Sequence, residues 1–250
     1  MLYRVIVILV SIIVGAHQSA AALEIAGKAE IVTGVVSIER AGRSEPLEAG
    51  GPVFVKDSIV TGADGSAEIS FVDQSRMKLA PGANLEITEY RYNRAEKIRY
   101  GLISLKLGKA RFAVQELQDF NDRRFRVKTG TAIVASRDTD FIVDFEPEMP
   151  RDEVCRHGLT TALCLEDSIV FSSPGFQDKP ALLTAYMTGQ ACGPDLPAPP
   201  RFATAAEFAG IIAGLERIGN RNAEASGMPG NSTGCLPNPE KSDQGTVEEH

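Results

Sequence analysis

Histidine and common catalytic motifs are nearly missing from this sequence. Its 250 residues contain three histidines, His17, His157 and His250, and neither a GxxxxGK nor an HExxH motif. A serine or cysteine nucleophile needs a nearby general base, which is most often a histidine. Glycine-rich phosphate-binding loops are absent as well. The sequence therefore favours a protein that is not an enzyme and that uses no cofactor.

Long apolar segments are also missing, apart from one at the N-terminus. Arg4 supplies a positive charge, residues 5–14 are apolar except for Ser11, and small residues lead up to Ala22. This order predicts a secretory signal peptide over residues 1–22, cleaved near Ala22. A retained membrane anchor is the alternative, but about ten apolar residues fall short of the ~20 that span a bilayer. We therefore expect a periplasmic or secreted chain with no integral membrane span after cleavage.

The sequence has no overall excess of positive charge. Its net charge of −7 becomes −8 when Arg4 leaves with the signal peptide, which argues against nucleic acid as a partner. Residues 91–128 nevertheless contain eleven basic and four acidic residues, a local charge of +7. These side chains are either solvated strand faces or a contact patch for an acidic partner. The candidate patch consists of Arg91, Arg94, Lys97, Arg99, Lys106, Lys109 and Arg111.

Four cysteines in an exported chain are expected to form two disulfides, because the compartments outside the cytoplasm are oxidising. Three pairings are possible. Cys155 and Cys164 flank residues 156–163 and could clamp two adjacent strands or their loop, in which case Cys192 would pair with Cys235, but the sequence leaves the pairing open. A metal site at Cys155, His157 and Cys164 is the alternative, but it lacks a fourth ligand and its spacing matches no zinc pattern.

Between residues 24 and 190 the apolar side chains recur with a period of two. Phe125 and Val127 flank Arg126, and Phe141, Val143 and Phe145 repeat the alternation. This period is typical of half-buried antiparallel strands. Turn-forming segments follow one another at intervals of roughly 8–15 residues, which suits many short strands. We predict an all-β domain over residues 23–192, either an antiparallel sandwich or a coiled double sheet, with no helix before Pro200.

The sequence pattern changes at residues 193–203, which are rich in proline and are predicted to form a linker. Thr204 and Glu207 then form a capping box, followed by apolar residues at helical spacing, and predict one amphipathic helix over residues 204–220. The simplest cover for its apolar side is the β domain, and the alternatives are a partner or a membrane surface. Residues 221–250 are polar and acidic and are predicted to be disordered.

Scattered aspartates offer the only alternative catalytic chemistry. Asp138, Asp140 and Asp144, together with Asp73, supply carboxylates for a hydrolase or a calcium site. Their spacing matches neither an EF-hand loop nor an acid pair. A structure tests this hypothesis directly, since catalytic carboxylates must converge in a cleft.

Several ordered segments resemble the FecR family of signalling regulators. Residues 57–87 carry its central pattern of a T-G turn, a strand ending in D-x-S and an L-x-P-x-x-x-L close, and residues 101–112 and 125–143 resemble its later segments. The likeness spans about residues 50–145. The matching positions in the first segment are Asp57, Thr61, Gly62, Ser66, Ala67, Phe71, Asp73, Ser75, Leu79, Pro81 and Leu85.

The resemblance implies a folded β module that contacts a protein or a glycan. Two positions depart from the family pattern: Gly130 stands where the family favours proline, and Asp138 where it favours glycine. The cytoplasmic anti-sigma segment and the transmembrane helix of membrane-bound members are not expected here. The sequence thus predicts a non-catalytic exported binding or signalling-accessory module whose partner is an envelope protein or a polysaccharide.

Overall fold

The computed structural model describes residues 23–149, 155–193 and 196–215. The predicted signal peptide, the predicted acidic tail and Cys235 lie outside the described residues. In the described part of the chain, no helix is both long and apolar enough to cross a membrane.

Short strands account for most of the fold. In chain order they are β1 (Ile25–Thr33), β2 (Val36–Arg40), β3 (Arg43–Pro46), β4 (Pro52–Phe54), β5 (Ser58–Thr61), β6 (Ser66–Phe71), β7 (Arg76–Leu79), β8 (Asn84–Asn93) and β9 (Ile98–Ala113). The second half contains β10 (Asp122–Lys128), β11 (Ile133–Ser136), β12 (Asp140–Glu146), β13 (Leu159–Cys164), β14 (Ser168–Ser172), β15 (Ala181–Thr184), β16 (Met187–Cys192) and β17 (Arg201–Phe202). The expected all-β class is confirmed.

The strands form two sheets that share β9. Sheet A has the order β4-β1-β6-β7-β9-β12-β13-β16-β17. Sheet B has the order β3-β2-β5-β8-β9-β10-β11-β14-β15. The pairing of β9 with β10 is parallel and the others are antiparallel. The chain therefore passes repeatedly between two sheets, as a coiled double sheet does.

Strand β9 changes sheet at Gly108. Its first half, up to Leu107, pairs with β8 in sheet B, and its second half, from Gly108, pairs with β12 in sheet A. Gly108 has a φ of +78°, and a Cβ there would lie 2.9 Å from the Cα of Ala83. Glycine permits both the left-handed backbone and the close approach that this bend requires.

The hydrophobic core lies between the two sheets. The Phe71 ring of sheet A stacks on the Tyr90 ring of sheet B with a centroid distance of 4.5 Å, and Phe125 of sheet B meets Phe112 of sheet A at 5.7 Å. These side chains come from the inward positions of the period-two pattern, and nearly all of that set is fully buried. Burial of one such apolar side chain contributes about 1.5–3 kcal/mol, so the many inward side chains strongly favour the stacking of the sheets.

One helix, α1 (Ala205–Ile212), covers part of the outer face of sheet A. Its predicted capping box is confirmed, because the Glu207 amide donates to the Thr204 hydroxyl and the Thr204 amide donates to the Glu207 carboxylate. Leu215 packs with Ile142 of β12 and with further apolar residues of sheet A and the loops beside it. The β domain therefore covers the apolar side of the helix.

The C-terminal boundaries differ from the predicted ones. The helix ends at Ile212, and residues 213–215 are not helical, because Gly214 adopts a φ of +79°. The predicted linker over residues 193–203 also contains β17, in which Phe202 pairs with Met187. The prolines lie before this short strand, so they do not prevent the pairing.

Candidate functional site

A buried ion pair joins the two sheets at the centre of the family-like motif. Asp73 follows β6, Arg99 lies on β9, and both side chains are fully buried. The Arg99 guanidinium donates to the Asp73 carboxylate at 3.0 Å, and the Tyr90 hydroxyl donates to the same group at 2.6 Å. The Ser75 hydroxyl and amide donate to it at 2.8 Å and 3.0 Å. The D-x-S motif thus builds a carboxylate that is fully satisfied by its own fold.

Arg99 also anchors the backbone on the far side of the pair. Its Nη2 atom donates to the carbonyl oxygens of Arg123, at 3.1 Å, and of Arg137. Burial and the adjacent Asp73 carboxylate raise the pKa of Tyr90 well above its usual value, so this phenol stays a donor. The cluster is therefore structural, with neither charge reaching solvent.

The other polar motif residues also complete internal contacts. Asp57 accepts from Arg40 through two bonds of 2.8 Å and from the Phe54 amide at 2.7 Å. Thr61 donates to the Ala80 carbonyl at 2.7 Å and accepts from the Ala83 amide at 2.8 Å. These bonds fix the turns that connect the sheets, which explains why polar residues occupy buried positions.

The candidate contact patch does not form one surface. Arg99 is 0% exposed and cannot contact a partner, which corrects its assignment. Lys109 and Arg111 lie on the outer face of sheet A and are only 18% and 13% exposed, and they pair with Asp144 and Asp140. Lys106 pairs with Glu86 at 2.8 Å. The remaining members, Arg91, Arg94 and Lys97, are exposed.

Lys109 and Arg111 hold helix α1 in place. The Lys109 ammonium donates to the Gly210 carbonyl at 3.0 Å, and the Arg111 guanidinium donates to the Leu215 carbonyl at 3.3 Å. Carbonyl groups at and after a helix C-terminus lack intrahelical partners, so cations there are favourable. These two side chains therefore stabilise the fold and already have partners within the chain.

A different set of cations lies together on the outer face of sheet B. We call this surface the basic face and define it by Arg91, Arg124, Arg126, Lys128 and Arg137. Residues opposite one another in adjacent strands share a face. One row runs from Arg91 through Tyr100 to Arg124, and the Arg124 guanidinium lies 5.3 Å from the centre of the Tyr100 ring. Helix α1 packs on the opposite sheet and leaves this face open.

A second row of the basic face combines charge with exposed apolar side chains. It runs from Glu89 through Leu102, Arg126 and Ala135 to Val170 and Leu182. Val170 is 40% exposed and Leu182 is 58% exposed. Arg91, Arg126, Lys128 and Arg137 form no ion pair with a described residue, and Glu89, which shares a row with Arg126, forms none either. The unpaired charges therefore leave the face positive.

Comparison with known families agrees with the motif geometry. The model of the FecR protein family matches residues 57–155. The chain carries a FecR-like domain. Two crystal structures of a candidate anti-sigma factor from Parabacteroides distasonis are similar to the chain with a TM-score of 0.45 and 16% identity. Each match covers 63% of this chain and 65% or 64% of the other chain, under two thirds of its length. No curated protein matches.

The structure explains one departure from the FecR pattern. At Gly130, a Cβ would lie 2.8 Å from the Phe145 ring, so the proline that the family favours has no room here. At the second departure, the Asp138 carboxylate lies 3.8 Å from the Arg123 guanidinium. This contact has no counterpart in a chain with glycine at that position.

The aspartates of the FecR-like domain do not converge in a cleft. Asp140 and Asp144 pair with separate cations on the outer face of sheet A, and Asp138 lies on the side of sheet B. Burial raises the pKa of Asp144, and Lys109 opposes the shift. In the described ranges no group of three His, Cys, Asp or Glu side chains is arranged to hold a metal ion. The one G-x-S-x-G match in the sequence, GNSTG at 230–234, lies outside them.

The expected framework of two disulfides is wrong at Cys164, and Cys155 has a different partner from the one considered. Cys155 forms a disulfide with Cys192, with a Cα–Cα distance of 4.7 Å. Cys192 ends β16 opposite Leu159, the first residue of β13, and a turn brings Cys155 next to that end. Cys164 lies at the other end of β13, about 17 Å away at 3.3 Å per residue. It is a buried free thiol that donates to the Glu166 carbonyl at 3.2 Å, and burial raises its pKa to about 11.

Sequence reasoning missed the outward cations of β10 and also Arg137, which follows β11. Arg124, Arg126 and Lys128 alternate with the buried Phe125 and Val127, so the period-two pattern places all three cations on the solvent side. Sorting the charges of residues 91–128 by strand parity, rather than grouping them by position in the chain, separates these outward cations from the buried Arg99. Arg137 carried no such signal, because it lies just after the end of β11.

Proposed function

We propose that this chain is an exported, non-catalytic signalling-accessory module that contacts an acidic region of an envelope protein through the basic face. The observation that carries the proposal is the group of four cations without ion pairs on a sheet face that helix α1 leaves open. A FecR-like domain supports a regulatory role rather than a catalytic one. The separate pairing of Asp140 and Asp144 supports the same conclusion.

A protein partner fits the basic face better than a polysaccharide does. Arginine and apolar side chains are favoured at protein interfaces, and Arg126, Val170 and Leu182 lie in one row. Tyr100, the aromatic residue in the Arg91 row, is already covered by the Arg124 guanidinium, so its ring is not free to stack on a sugar. Complementary charge would speed the encounter and select the partner.

Site-specific crosslinking in intact cells tests the proposal. A photo-reactive amino acid at Leu182, on the basic face, is expected to give a discrete adduct with one envelope protein. The matched control position is Lys28, whose side chain is 59% exposed on sheet A and which should give no adduct. Replacing Arg126 and Arg137 by glutamine should remove the Leu182 adduct.

Three outcomes would contradict the proposal. Equal adducts from Leu182 and Lys28 would mean that the basic face is not the contact surface. An adduct that survives protease digestion and carries sugar would identify a polysaccharide instead. A Leu182 adduct that is unchanged by the double arginine substitution would mean that charge does not select the partner.

Export is tested separately by the mass of the protein recovered from the periplasmic or extracellular fraction. The proposal expects a mature chain that begins at or near Leu23. An intact N-terminus in the membrane fraction would instead support the retained anchor.

A further inference from the structure

The basic face contains a notch where strand β11 ends. Ser136, the last residue of β11, lies opposite Phe125, so residues 122–124 of β10 have a neighbour strand on the β9 side only. A cleft of about 390 Å³ opens there, between β10 and the start of β14. Its lining includes Arg124, Arg126, Ser136, Arg137, Asp138 and Ser168.

The charges around the notch leave two guanidinium groups available. Arg124 pairs with Asp122, and Arg123 pairs with Asp138 at 3.8 Å. Arg126 and Arg137 form no ion pair with any described residue. Guanidinium forks match carboxylate and phosphate oxygens in geometry, and paired forks bind such groups more tightly than one fork does.

The fold also holds the two sides of the notch rigidly. Arg99 lies buried behind them and donates to the carbonyl oxygens of Arg123 and Arg137. Its own charge is balanced by Asp73. The backbone that presents the Arg137 side chain is therefore fixed before any ligand arrives, which lowers the entropic cost of binding.

We propose that this notch is an oxyanion-binding site in which Arg126 and Arg137 hold one carboxylate or phosphate group. The inference deepens the proposed function, because an acidic side chain of the partner protein would supply the carboxylate. Asp138 lies in the same lining and opposes anion binding, and its pairing with Arg123 limits that repulsion. Substituting Asp138→Gly, the residue that the FecR pattern favours, should therefore strengthen binding.

The test is an amide-resolved NMR titration of the purified chain at constant ionic strength, first with inorganic phosphate and then with glutarate. Saturable shifts are expected at residues 124–126, 135–138 and 168. The Arg137→Gln variant should bind about tenfold more weakly, as loss of one charge-assisted pair implies. The matched control, Arg91→Gln, removes a charge from the same face outside the notch and should change the affinity less than about twofold.

Two results would overturn the inference. Shifts that never saturate and that spread over all exposed lysines and arginines would indicate nonspecific attraction. An Arg137→Gln variant that behaves like Arg91→Gln, with its fold verified by its amide spectrum, would show that the notch holds nothing. Asp138→Gly adds an independent check, because tighter anion binding supports the site and unchanged binding contradicts it.

Failure of this site is distinguishable from failure of the proposed function. If phosphate saturates the notch but Leu182 gives no adduct in cells, the oxyanion site stands and the partner proposal fails. If the adduct forms and persists in the Arg137→Gln variant while phosphate does not bind, the notch proposal fails. Saturation by phosphate but not by glutarate would identify a phosphate group, and not a partner's carboxylate, as the ligand.

Discussion

The outer faces of the two sheets use their charges in opposite ways. On sheet A, Lys109 and Arg111 pair with aspartates of the neighbouring strand. They also donate hydrogen bonds to two carbonyl groups, one within helix α1 and one just after it. On sheet B, Arg126 and Arg137 pair with no described carboxylate, and no described helix lies over them. Lys109 and Arg111 on sheet A thus have charged partners within the chain, whereas Arg126 and Arg137 on sheet B have none among the described residues.

The difference shows that local charge does not by itself identify a binding surface. Residues 91–128 contain cations of both kinds, which differ in the sheet and in the side of the strand on which they lie. Arg99 and Arg126 illustrate this, since both lie on strands of sheet B, yet one is fully buried and the other is on the open face. Cations that bind partners should therefore be removable without loss of stability, whereas structural cations should not.

The largest effect is expected from Arg99→Met. This change leaves the Asp73 carboxylate buried without its cation, and breaking a buried pair in this way costs about 3–5 kcal/mol of unfolding free energy. Urea unfolding measures the loss. Arg91→Met on the open face is the control and should stay within about 0.5 kcal/mol of the parent chain. Similar losses in the two variants would remove the distinction between structural and free cations.

Removing the Cys155–Cys192 disulfide should cost somewhat less. The bond closes a loop with a sequence separation of 37, for which the chain-entropy model gives about 3–4 kcal/mol. Replacing both cysteines by serine should lower the unfolding free energy by that amount and leave phosphate binding at the notch unchanged. Loss of phosphate binding would mean that the open face depends on the strand ends of sheet A.

Alkylation and peptide mapping test which cysteines are disulfide-bonded and which are free. Alkylation in denaturant without reductant should label Cys164, and peptide mapping should find Cys155 and Cys192 still joined. A native chain should resist labelling, because the Cys164 thiol is buried and its raised pKa of about 11 keeps it protonated. Recovery of a Cys155–Cys164 peptide would contradict the structure.

A pair of apolar substitutions compares the two faces directly. Ile142→Ala removes a fully buried side chain beneath helix α1 and should cost about 2–5 kcal/mol. Leu102→Ala removes a half-buried side chain on the open face of sheet B and should cost less than about 1.5 kcal/mol, because part of that side chain already faces water. Urea unfolding of the two variants measures both losses of unfolding free energy. Equal losses would mean that something covers Leu102 as well.

Much of the fold was predictable because its strongest signals are local. The period-two alternation gave the inward side chains of β10 and β12, and the capping box located the start of α1. The FecR-like pattern identified Asp73 and Ser75, although it did not reveal that both are buried. These features depend on neighbours within a few residues, which a sequence displays directly.

The errors concern contacts between residues that are distant in the chain. The sequence left the disulfide pairing open and assigned Cys164 to a disulfide, but β13 and β16 are adjacent in sheet A and bring Cys192 to Cys155, which leaves Cys164 free. The parallel pairing of β9 with β10 likewise assembles the basic face from strands with no hairpin between them. Neither pairing is indicated by residues that are neighbours in the sequence. The change of sheet at Gly108 then sends Lys109 and Arg111 to the opposite side of the molecule from Arg126.

One measurement tests the central claim most directly: unfolding free energy and phosphate affinity determined side by side for two double variants. Arg126→Gln with Arg137→Gln should leave the unfolding free energy within about 0.5 kcal/mol per substitution and abolish saturable phosphate binding. Lys109→Gln with Arg111→Gln should destabilise the chain by about 1–3 kcal/mol and preserve phosphate binding in the folded protein. If both variants lost stability equally, or if both bound phosphate equally, the two faces would not differ in the way described.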